Sequence, residues 1–191
     1  MERILVVAAV RQELDPFLRR SNGDVQVLLT GVGARRAYAQ VGRWLSDHPC
    51  GGLISAGFAG ATRPGLKTGD LIWAEEVVDA VSGERARPSF SKPSLGGVAS
   101  GRLVTVPRAA WSPSAKAALG ARFEAVAVDM ETAWVARAAG EKGIPWVAIR
   151  AVLDPMEQFL FGLGTLLRGV PVARECLSAY LKAVIPSLRS T

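Results

Sequence analysis

The feature that most constrains the fold is an alternation of short, continuously apolar segments with helical ones. Residues 3–10 form the first apolar run, which is typical of a strand buried on both faces. Residues 34–47 carry apolar side chains at three- and four-residue spacing, which predicts a helix. Further strands are predicted at residues 25–30, 51–57, 70–74, 101–106, 125–128 and 145–150, a short helix or turn at residues 12–20, and helices at residues 131–142 and 172–185. This order predicts an α/β fold with a mixed central β-sheet flanked by helices.

Length and composition set the domain organisation. A chain of 191 residues suits a single domain spanning residues 1–191. Its residues are 49% hydrophobic and 21% charged, which indicates a globular protein and excludes a disordered one. Residues 82–101 are rich in Ser, Gly and Pro without periodicity, so we expect a mobile or degenerate loop there. We expect the last helix to stop at Pro186.

The cellular compartment is inferred from apolar runs and cysteines. No apolar run reaches the roughly 18 to 20 residues that cross a bilayer. The first run is followed at once by Arg11, Gln12 and Glu13, so a buried strand explains it better than a signal peptide. The two cysteines, Cys50 and Cys176, form neither a disulfide framework nor a metal-ligand spacing. We therefore expect a cytoplasmic protein without a bound metal.

The chain is basic, with a formal net charge of +6. Its Arg and Lys residues are scattered, and no basic run of five or more occurs. A solvated surface explains this pattern best, so we expect no nucleic-acid partner. Attraction to an anionic substrate or to a membrane surface is the alternative.

Candidate functional residues lie where predicted strands end. In α/β sheets, ligands bind at the carboxyl ends of the strands. Five segments follow strands in this way: Glu13, Gly31–Gly33, Phe58–Gly60, Asp129–Glu131 and Arg150–Asp154. Several acids at one sheet edge suit general acid–base catalysis.

Each segment taken alone has a structural explanation. The two glycines of Gly31–Gly33 are typical of a strand-to-helix turn. Glu131 near a helix start is favoured by the helix dipole, and Asp154 before a proline is typical of a turn. The lone histidine, His48, is expected at the surface, which excludes histidine-based triads.

Taken together and in order, the segments resemble one known family. The run Asp129-Met130-Glu131, followed about twenty residues later by Arg150-x-x-x-Asp154, resembles the purine nucleoside phosphorylase and methylthioadenosine/S-adenosylhomocysteine nucleosidase superfamily. Residues 4–13, 29–33, 55–60 and 65–70 match further family segments, so the resemblance extends to about residue 155. It implies a nucleoside phosphorylase-like fold and an enzyme that cleaves the N-glycosidic bond of a purine nucleoside of the adenosine type.

The resemblance also implies roles for individual residues. Glu131 is expected to accept hydrogen bonds from the ribose hydroxyls, with Met130 packed against the sugar. Negative charge flows into the base as the C–N bond breaks, and Asp154 is expected to neutralise it at N7. Arg150 and Glu13 are expected to orient the attacking water. The remaining expected substrate contacts are Val128 and Asp129, then Phe58, Ala59 and Gly60 on the base side, and Gly31 and Gly33 on the nucleophile side.

Departures from the family pattern bear on the nucleophile and the base. Ser55 and Phe58 stand where family phosphorylases grip phosphate, which favours water as the nucleophile. Phosphate stays open as a co-substrate, because Arg11, Arg35 and Arg36 would supply charge; no other cofactor is expected. Ala109 and Ala110 stand where the family has a base-stacking aromatic residue, and Trp111 is a candidate replacement.

Other departures bear on the substrate and partners. The segment from Asp79 to Gly101 is shorter than in well-known nucleosidases, and the Asp154-Pro155 step resembles phosphorylase-like proteins of hopanoid biosynthesis, which act on adenosylhopane. This resemblance implies a bulky 5′ substituent, with futalosine and methylthioadenosine as the other candidate substrates. The basic residues between Arg168 and Arg189 fit peripheral association with an anionic membrane. The family implies a homodimer. A non-catalytic nucleoside-binding protein on the same scaffold is the alternative function.

Overall fold

The computed structural model describes residues 3–20, 25–160 and 165–189, and these residues form one eight-stranded sheet with five α-helices around it. The strands are β1 (Ile4–Ala8), β2 (Gln26–Leu29), β3 (Gly52–Ala61), β4 (Leu71–Asp79), β5 (Arg85–Ala86), β6 (Val98–Thr105), β7 (Ala127–Asp129) and β8 (Trp146–Asp154). The helices are α1 (Arg11–Arg20), α2 (Ala34–Asp47), α3 (Pro113–Phe123), α4 (Thr132–Glu141) and α5 (Val170–Leu188), and a π-helical turn, Thr165–Gly169, precedes α5. The predicted α/β class with a mixed sheet is confirmed.

Five of the strands close into a ring. Strand β3 pairs with β8 in parallel and with β7 in antiparallel orientation. Strand β4 pairs with β8 in antiparallel and with β6 in parallel orientation, and β6 pairs with β7 in parallel. Strands β1 and β2 extend the sheet from β3, and β5 pairs with β4. Because β3 pairs with β8 from Leu53 to Gly60 and with β7 at Gly60 and Ala61, its carboxyl end is held between β7 and the carboxyl end of β8.

Helices cover both faces of the sheet. Helices α2 and α4 pack over one apolar cluster, and α1 and α5 pack over a second one. Strand β8 is consequently buried at all nine positions. This double coverage explains why its sequence is apolar without alternation. No helix in the described part of the chain is both long and apolar enough to cross a membrane.

Three strands extend beyond the predicted limits. Strand β3 continues to Ala61, β4 to Asp79 and β8 to Asp154. The expectation that Phe58–Gly60 and Arg150–Asp154 follow their strands was therefore wrong, because both segments lie within strands. The pairing of β3 with β8 maintains the extension, with a register shift between Ala59 and Gly60.

Helix α3 was not predicted. Ser112 caps it by accepting a hydrogen bond from the Ala115 N–H at 3.2 Å, and Pro113 begins it. The buried residue of this helix is Lys116. A lysine on the buried face removes the apolar periodicity by which helices are found in a sequence.

Two other expectations are corrected. Within residues 82–101, the chain forms β5, and β6 begins at Val98 rather than Gly101. Lys92 anchors the irregular part by donating to the Val98 carbonyl at 2.6 Å. Helix α5 continues through Pro186 to Leu188. A proline in the last turn removes little hydrogen bonding, and the buried Leu188 side chain keeps that turn packed.

Candidate active site

Strand register brings the predicted site segments together around Gly60. On β3, Gly60 lies opposite Asp154 of β8 and opposite Val128 of β7. A cavity of about 180 Å³ opens at this point. Its lining residues are Ala9, Val10, Glu13, Val32, Phe58, Ala59, Gly60, Val106, Ala109, Ala110, Val128, Asp129, Met130, Glu131, Leu153, Asp154 and Leu160.

The charge of the cavity is one-sided. Four lining residues carry carboxyl groups, namely Glu13, Asp129, Glu131 and Asp154, and none of the described lining residues is a lysine or arginine. The other lining side chains are mostly apolar. Burial raises the pKa values of Glu13, Glu131 and Asp154, and ionised carboxylates favour positive charge inside the cavity.

Glu131 reaches across the site from the start of α4. Its Oε1 accepts a hydrogen bond from the Gly33 N–H at 2.9 Å, which links α4 to the turn after β2. That turn contains Gly31 and Gly33 with φ of 77° and 108°, a left-handed backbone that glycine adopts without strain. Burial, followed by the nearby Asp129 carboxylate, raises the pKa of Glu131 to about 7.

The two glycines of the turn do not line the main cavity. Val32 lines the cavity, whereas Gly33 lines an adjoining groove and Gly31 lies beside Arg36. The two glycines thus act on the site through the Gly33 amide that Glu131 accepts from. Direct contact of these glycines with substrate stays a prediction.

Backbone amides hold Glu13. Its Oε2 accepts from the N–H groups of Ala9 and Val10 at 2.9 and 3.0 Å, and its Oε1 accepts from the Phe58 N–H at 3.0 Å. Burial raises the pKa of Glu13, against the lowering effects of these amides and of Arg150. Glycine is required beside it, because a Cβ at Gly57 would lie 2.7 Å from Oε1.

Arg150 lies in a buried polar network. Its Nε donates to the Asp129 carboxylate at 2.9 Å, and its terminal nitrogens donate to the Ser55 carbonyl at 2.8 Å, the Ser55 Oγ at 3.0 Å and the Thr132 hydroxyl. Asp129 also accepts from the Thr105 hydroxyl at 2.7 Å. The network joins β3, β6, β7, β8 and α4. It therefore fixes Asp129 and ties together β8, which carries Asp154, and α4, which begins next to Glu131.

A second, much smaller cavity shares lining residues with this network and with the main cavity. Its volume is about 10 Å³, and Glu13, Glu131, Ser55 and Arg150 are among the residues that line it. A polar space of this size is about what one water molecule needs. Arg150 reaches the site at this small cavity and is not a lining residue of the main one.

Asp154 has a partner that the sequence did not reveal. The Lys116 side chain of α3 is 0% exposed, and its ammonium donates to Asp154 Oδ2 at 2.6 Å. It also donates to the carbonyls of Pro155 and Gln158 at 2.6 and 2.7 Å. Burial raises the pKa of Asp154 to about 6, although Lys116 acts to lower it. The available signal was the Ser112-Pro113 helix start, which places Lys116 one turn into a helix.

The base side of the cavity has one aromatic lining residue, Phe58. Trp111 is 56% exposed and packs against Phe159 with ring centroids 6.0 Å apart. Its carbonyl accepts the Leu160 N–H at 3.1 Å, and Leu160 lines the cavity. Trp111 is thus part of the outer rim, and a stacking role for it is not supported by this arrangement.

A groove of about 600 Å³ adjoins the cavity, and both are lined by Val32 and Val106. Its other lining residues are Gly33, Ala34, Arg35, Arg36, Asp79, Val81, Ser82, Thr105, Pro107, Trp134 and Arg137. The groove is the larger of the two spaces and gives the cavity room to continue on one side.

Comparison with known proteins agrees with this architecture. Residues 93–185 match the family model described as the phosphorylase superfamily. No curated protein sequence matches the chain significantly. The family match covers α3, Asp129–Glu131 and Asp154, whereas Glu13 and the glycine turn lie outside it.

Solved structures match over nearly the whole chain. A variant of Helicobacter pylori 5′-methylthioadenosine/S-adenosylhomocysteine nucleosidase, with 5′-methylthioadenosine in its active site, has a TM-score of 0.84 and 18% identity over 98% of this chain and 99% of that one. The Neisseria meningitidis nucleosidase in complex with methylthio-immucillin-A has a TM-score of 0.81 and 19% identity over 98% and 100%. Helicobacter pylori futalosine hydrolase has a TM-score of 0.82 and 17% identity over 97% and 98%. The predicted nucleoside phosphorylase-like fold and the resemblance to the superfamily are confirmed.

Proposed function

We propose that this protein hydrolyses the N-glycosidic bond of a purine nucleoside of the adenosine type. The observation that carries the proposal is one acidic cavity with Asp154 beside Gly60 and with Glu131 and Glu13 also in its wall. The likeness in fold to nucleosidases that bind adenosine analogues supports it.

Asp154 serves the leaving base. As the C–N bond breaks, its electron pair moves into the purine, and N7 becomes basic. A carboxyl with a pKa raised to about 6 by burial is partly protonated near neutral pH and delivers its proton to N7. Phe58, Ala59 and Gly60 form the adjacent wall against the base.

Glu131 serves the sugar. In its ionised form it accepts hydrogen bonds from two ribose hydroxyls, and Met130 packs beside it. The ribosyl group becomes cationic in the transition state. A cavity lined by carboxyls and by no described cationic side chain stabilises that charge.

Water is the nucleophile. A phosphate dianion needs cationic or unoccupied donor groups, and the described lining of the main cavity offers four carboxyls instead. Ser55 Oγ is already bound to Arg150, and Arg11 is exposed and lies 3.6 Å from Asp15. The 10 Å³ cavity beside Glu13 is the place for the attacking water, with Glu13 as its base. Arg35 and Arg36 line the groove, so phosphate stays the alternative to be tested.

The groove suits a large 5′ substituent. It continues from the cavity past Val32 and Val106 and has more than three times the cavity's volume. We include adenosylhopane among the substrates to be tested for this reason. A cytoplasmic homodimer with peripheral affinity for anionic membranes is part of the same proposal.

Product analysis tests the function. Wild-type protein is incubated with adenosine, methylthioadenosine, futalosine and adenosylhopane, with and without phosphate, and products are separated by chromatography. We expect free base and the free sugar in both conditions. Ribose 1-phosphate would instead identify a phosphorylase. Binding of nucleosides without any release of base would identify the non-catalytic alternative.

Asp154→Asn tests the assignment of the acid. Asn keeps the shape of the side chain but has no proton of suitable acidity, so we expect kcat to fall about 10²- to 10⁴-fold with substrate binding retained. Asp47→Asn, at an exposed position of α2, is the matched control and should keep wild-type kcat. An Asp154→Asn variant with wild-type kcat would contradict the assignment.

A further inference from the structure

Lys116 is the most deeply buried charged residue in the described part of the chain. Its side chain is fully buried, and transferring an ammonium group out of water is strongly unfavourable unless it is paired and hydrogen-bonded. Here each of its three donors reaches an acceptor, namely Asp154 Oδ2, the Pro155 carbonyl and the Gln158 carbonyl. Replacing a whole buried ion pair by well-packed apolar side chains is often neutral or stabilising, so the pairing of Lys116 with Asp154 points to a role beyond packing.

Lys116 restricts the conformation of the Asp154 side chain. The ammonium engages Oδ2, which leaves Oδ1 as the oxygen free of that bond. Gly60 allows the pair to approach β3, because a Cβ there would lie 3.1 Å from Oδ2, 3.2 Å from Oδ1 and 3.2 Å from Lys116 Cδ. The carboxyl is therefore held in one rotation against the cavity wall.

Lys116 also joins two walls of the cavity. Through the carbonyls of Pro155 and Gln158 it holds the segment that leads from β8 to Leu160. Leu160 lines the cavity, and its N–H is bound to the Trp111 carbonyl, just before α3 begins. Movement of Lys116 would thus loosen the acid and this wall together.

We propose that Lys116 is a positioning residue for the cleavage reaction: it holds Asp154 by Oδ2, presents Oδ1 to the leaving base, and by its charge sets the pH range in which Asp154 delivers a proton. The inference rests on the proposed function.

Two opposed effects act on Asp154. Burial favours the neutral acid, and the Lys116 ammonium favours the carboxylate. Asp154 shares the cavity with the carboxyls of Glu13, Asp129 and Glu131, and Lys116 is the charged side chain in contact with it. The opposed effects of burial and of Lys116 leave the pKa of Asp154 at about 6. If Lys116 were absent, burial would raise the pKa further, and Asp154 would be a weaker acid.

Lys116→Met and Lys116→Gln test the proposal through the pH dependence of kcat. Both remove the charge, and the Gln variant keeps an N–H donor for the backbone carbonyls. We expect the low-pH plateau of kcat to fall about 10-fold or more, less than in Asp154→Asn, because a weaker and freer acid protonates the base less well. The limb on which kcat falls with rising pH should move upward by about one to three pH units, the usual effect of losing a nearby opposite charge. Lys142→Met, at an exposed position, should change neither quantity.

If kcat at low pH falls in both variants but its decline with rising pH stays at the same pH, the role of Lys116 is merely structural and the proposal is overturned. An unchanged kcat would overturn it as well. In the Asp154→Asn background, Lys116→Gln should reduce kcat by less than twofold if Lys116 acts through Asp154. If Lys116→Gln lowers kcat as much in the Asp154→Asn background as it does in the wild type, the proposal is overturned.

A measurement without substrate separates this inference from the proposed function. The Asp154 carboxyl carbon is followed by 13C NMR as pH changes, and it is assigned by its absence in Asp154→Asn. We expect its midpoint to rise in Lys116→Gln. An unmoved midpoint would overturn the inference even in an active enzyme, whereas absence of base release by the wild type would overturn the proposed function whatever the midpoint does.

Discussion

The four acids of the cavity are stabilised in different ways. Asp129 is paired with Arg150, and Asp154 with Lys116. Glu13 accepts three backbone amides, whereas Glu131 accepts a single one, from Gly33. Burial and then the Asp129 carboxylate raise the pKa of Glu131 to about 7, against the lowering effects of the Gly33 amide and of Arg150. In the proposed reaction, ribose hydroxyls would supply the missing donors.

Glu131→Gln tests this at the residue level through stability. Below the unfolded pKa of 4.5 both states hold the proton, so Glu131 does not destabilise the fold. As pH rises to about 7 the unfolded chain loses a proton that the folded chain keeps, and stability falls, by about 3 kcal/mol in full. We expect Glu131→Gln to match the wild type near pH 4 and to exceed its free energy of unfolding by that amount at pH 8, measured in urea.

The control has the opposite sign. Hydrogen bonds from Tyr38 and then Arg137 lower the pKa of Glu141, so this carboxylate stabilises the fold above its unfolded pKa. Glu141→Gln should therefore be slightly less stable than the wild type at pH 8, with a small effect because the pair is exposed. Equal stability of Glu131→Gln and wild type at both pH values would contradict the account. A gain in stability together with weaker ribose binding is typical of a functional site.

Helix α3 is the element that completes the site. It packs close to the end of β3 because Gly120 faces the Thr62 carbonyl, and a Cβ at Gly120 would collide with that oxygen. Thr62 is itself fixed, since its hydroxyl donates to the Ala125 carbonyl at 2.6 Å. Because the Thr62 backbone cannot move away, a residue larger than glycine at position 120 must displace α3 and therefore Lys116.

Gly120→Ala tests the close packing of α3 against Thr62. We expect a loss of about 1–3 kcal/mol in the free energy of unfolding from overpacking, and a reduced kcat because Lys116 shifts away from Asp154. Gly140→Ala in α4 is the matched control, because a Cβ there meets nothing within 4 Å. It should raise stability by about 0.5–1 kcal/mol, as expected for Ala over Gly within a helix. If both variants gain stability, the described contact does not restrict α3.

At the scale of the whole molecule, the closed ring of strands leaves the site at one edge, beside an open groove. Two apolar side chains of that groove are strongly exposed, Val32 at 52% and Val81 at 75%. Single exposed apolar residues are common, but two in one groove next to a site suggest a covered surface. The homodimer implied by the family resemblance would cover them.

Sedimentation velocity tests the assembly. We expect the wild type to sediment as a dimer at micromolar concentration and Val81→Asp to sediment as a monomer, because a buried charge without a partner opposes association. Val172→Asp, at an exposed position of α5 with 46% exposure, should leave the dimer intact. A wild type that is monomeric throughout would show that the prediction was wrong.

Local pattern determined much of this protein. Apolar runs and helical spacing predicted the strand–helix order, because burial on one or two faces leaves a periodic trace in the sequence. The order of Glu13, Asp129–Glu131 and Asp154 along the chain predicted which acids meet, and the structure places all of them in one cavity. They meet because residues at or soon after the ends of β1, β7 and β8 line the same cavity.

Tertiary structure decided what the acids contact. The partnership of Lys116 with Asp154 spans 38 residues, and that of Gly33 with Glu131 spans 98, so neither leaves a local pattern. The pairing of β3 with β8 placed Gly60 beside Asp154 and lengthened both strands past their predicted ends. Register and helix position are set by long-range packing. The acids could therefore be identified from the sequence, whereas the groups that orient them and set their pKa values could be identified only in the fold.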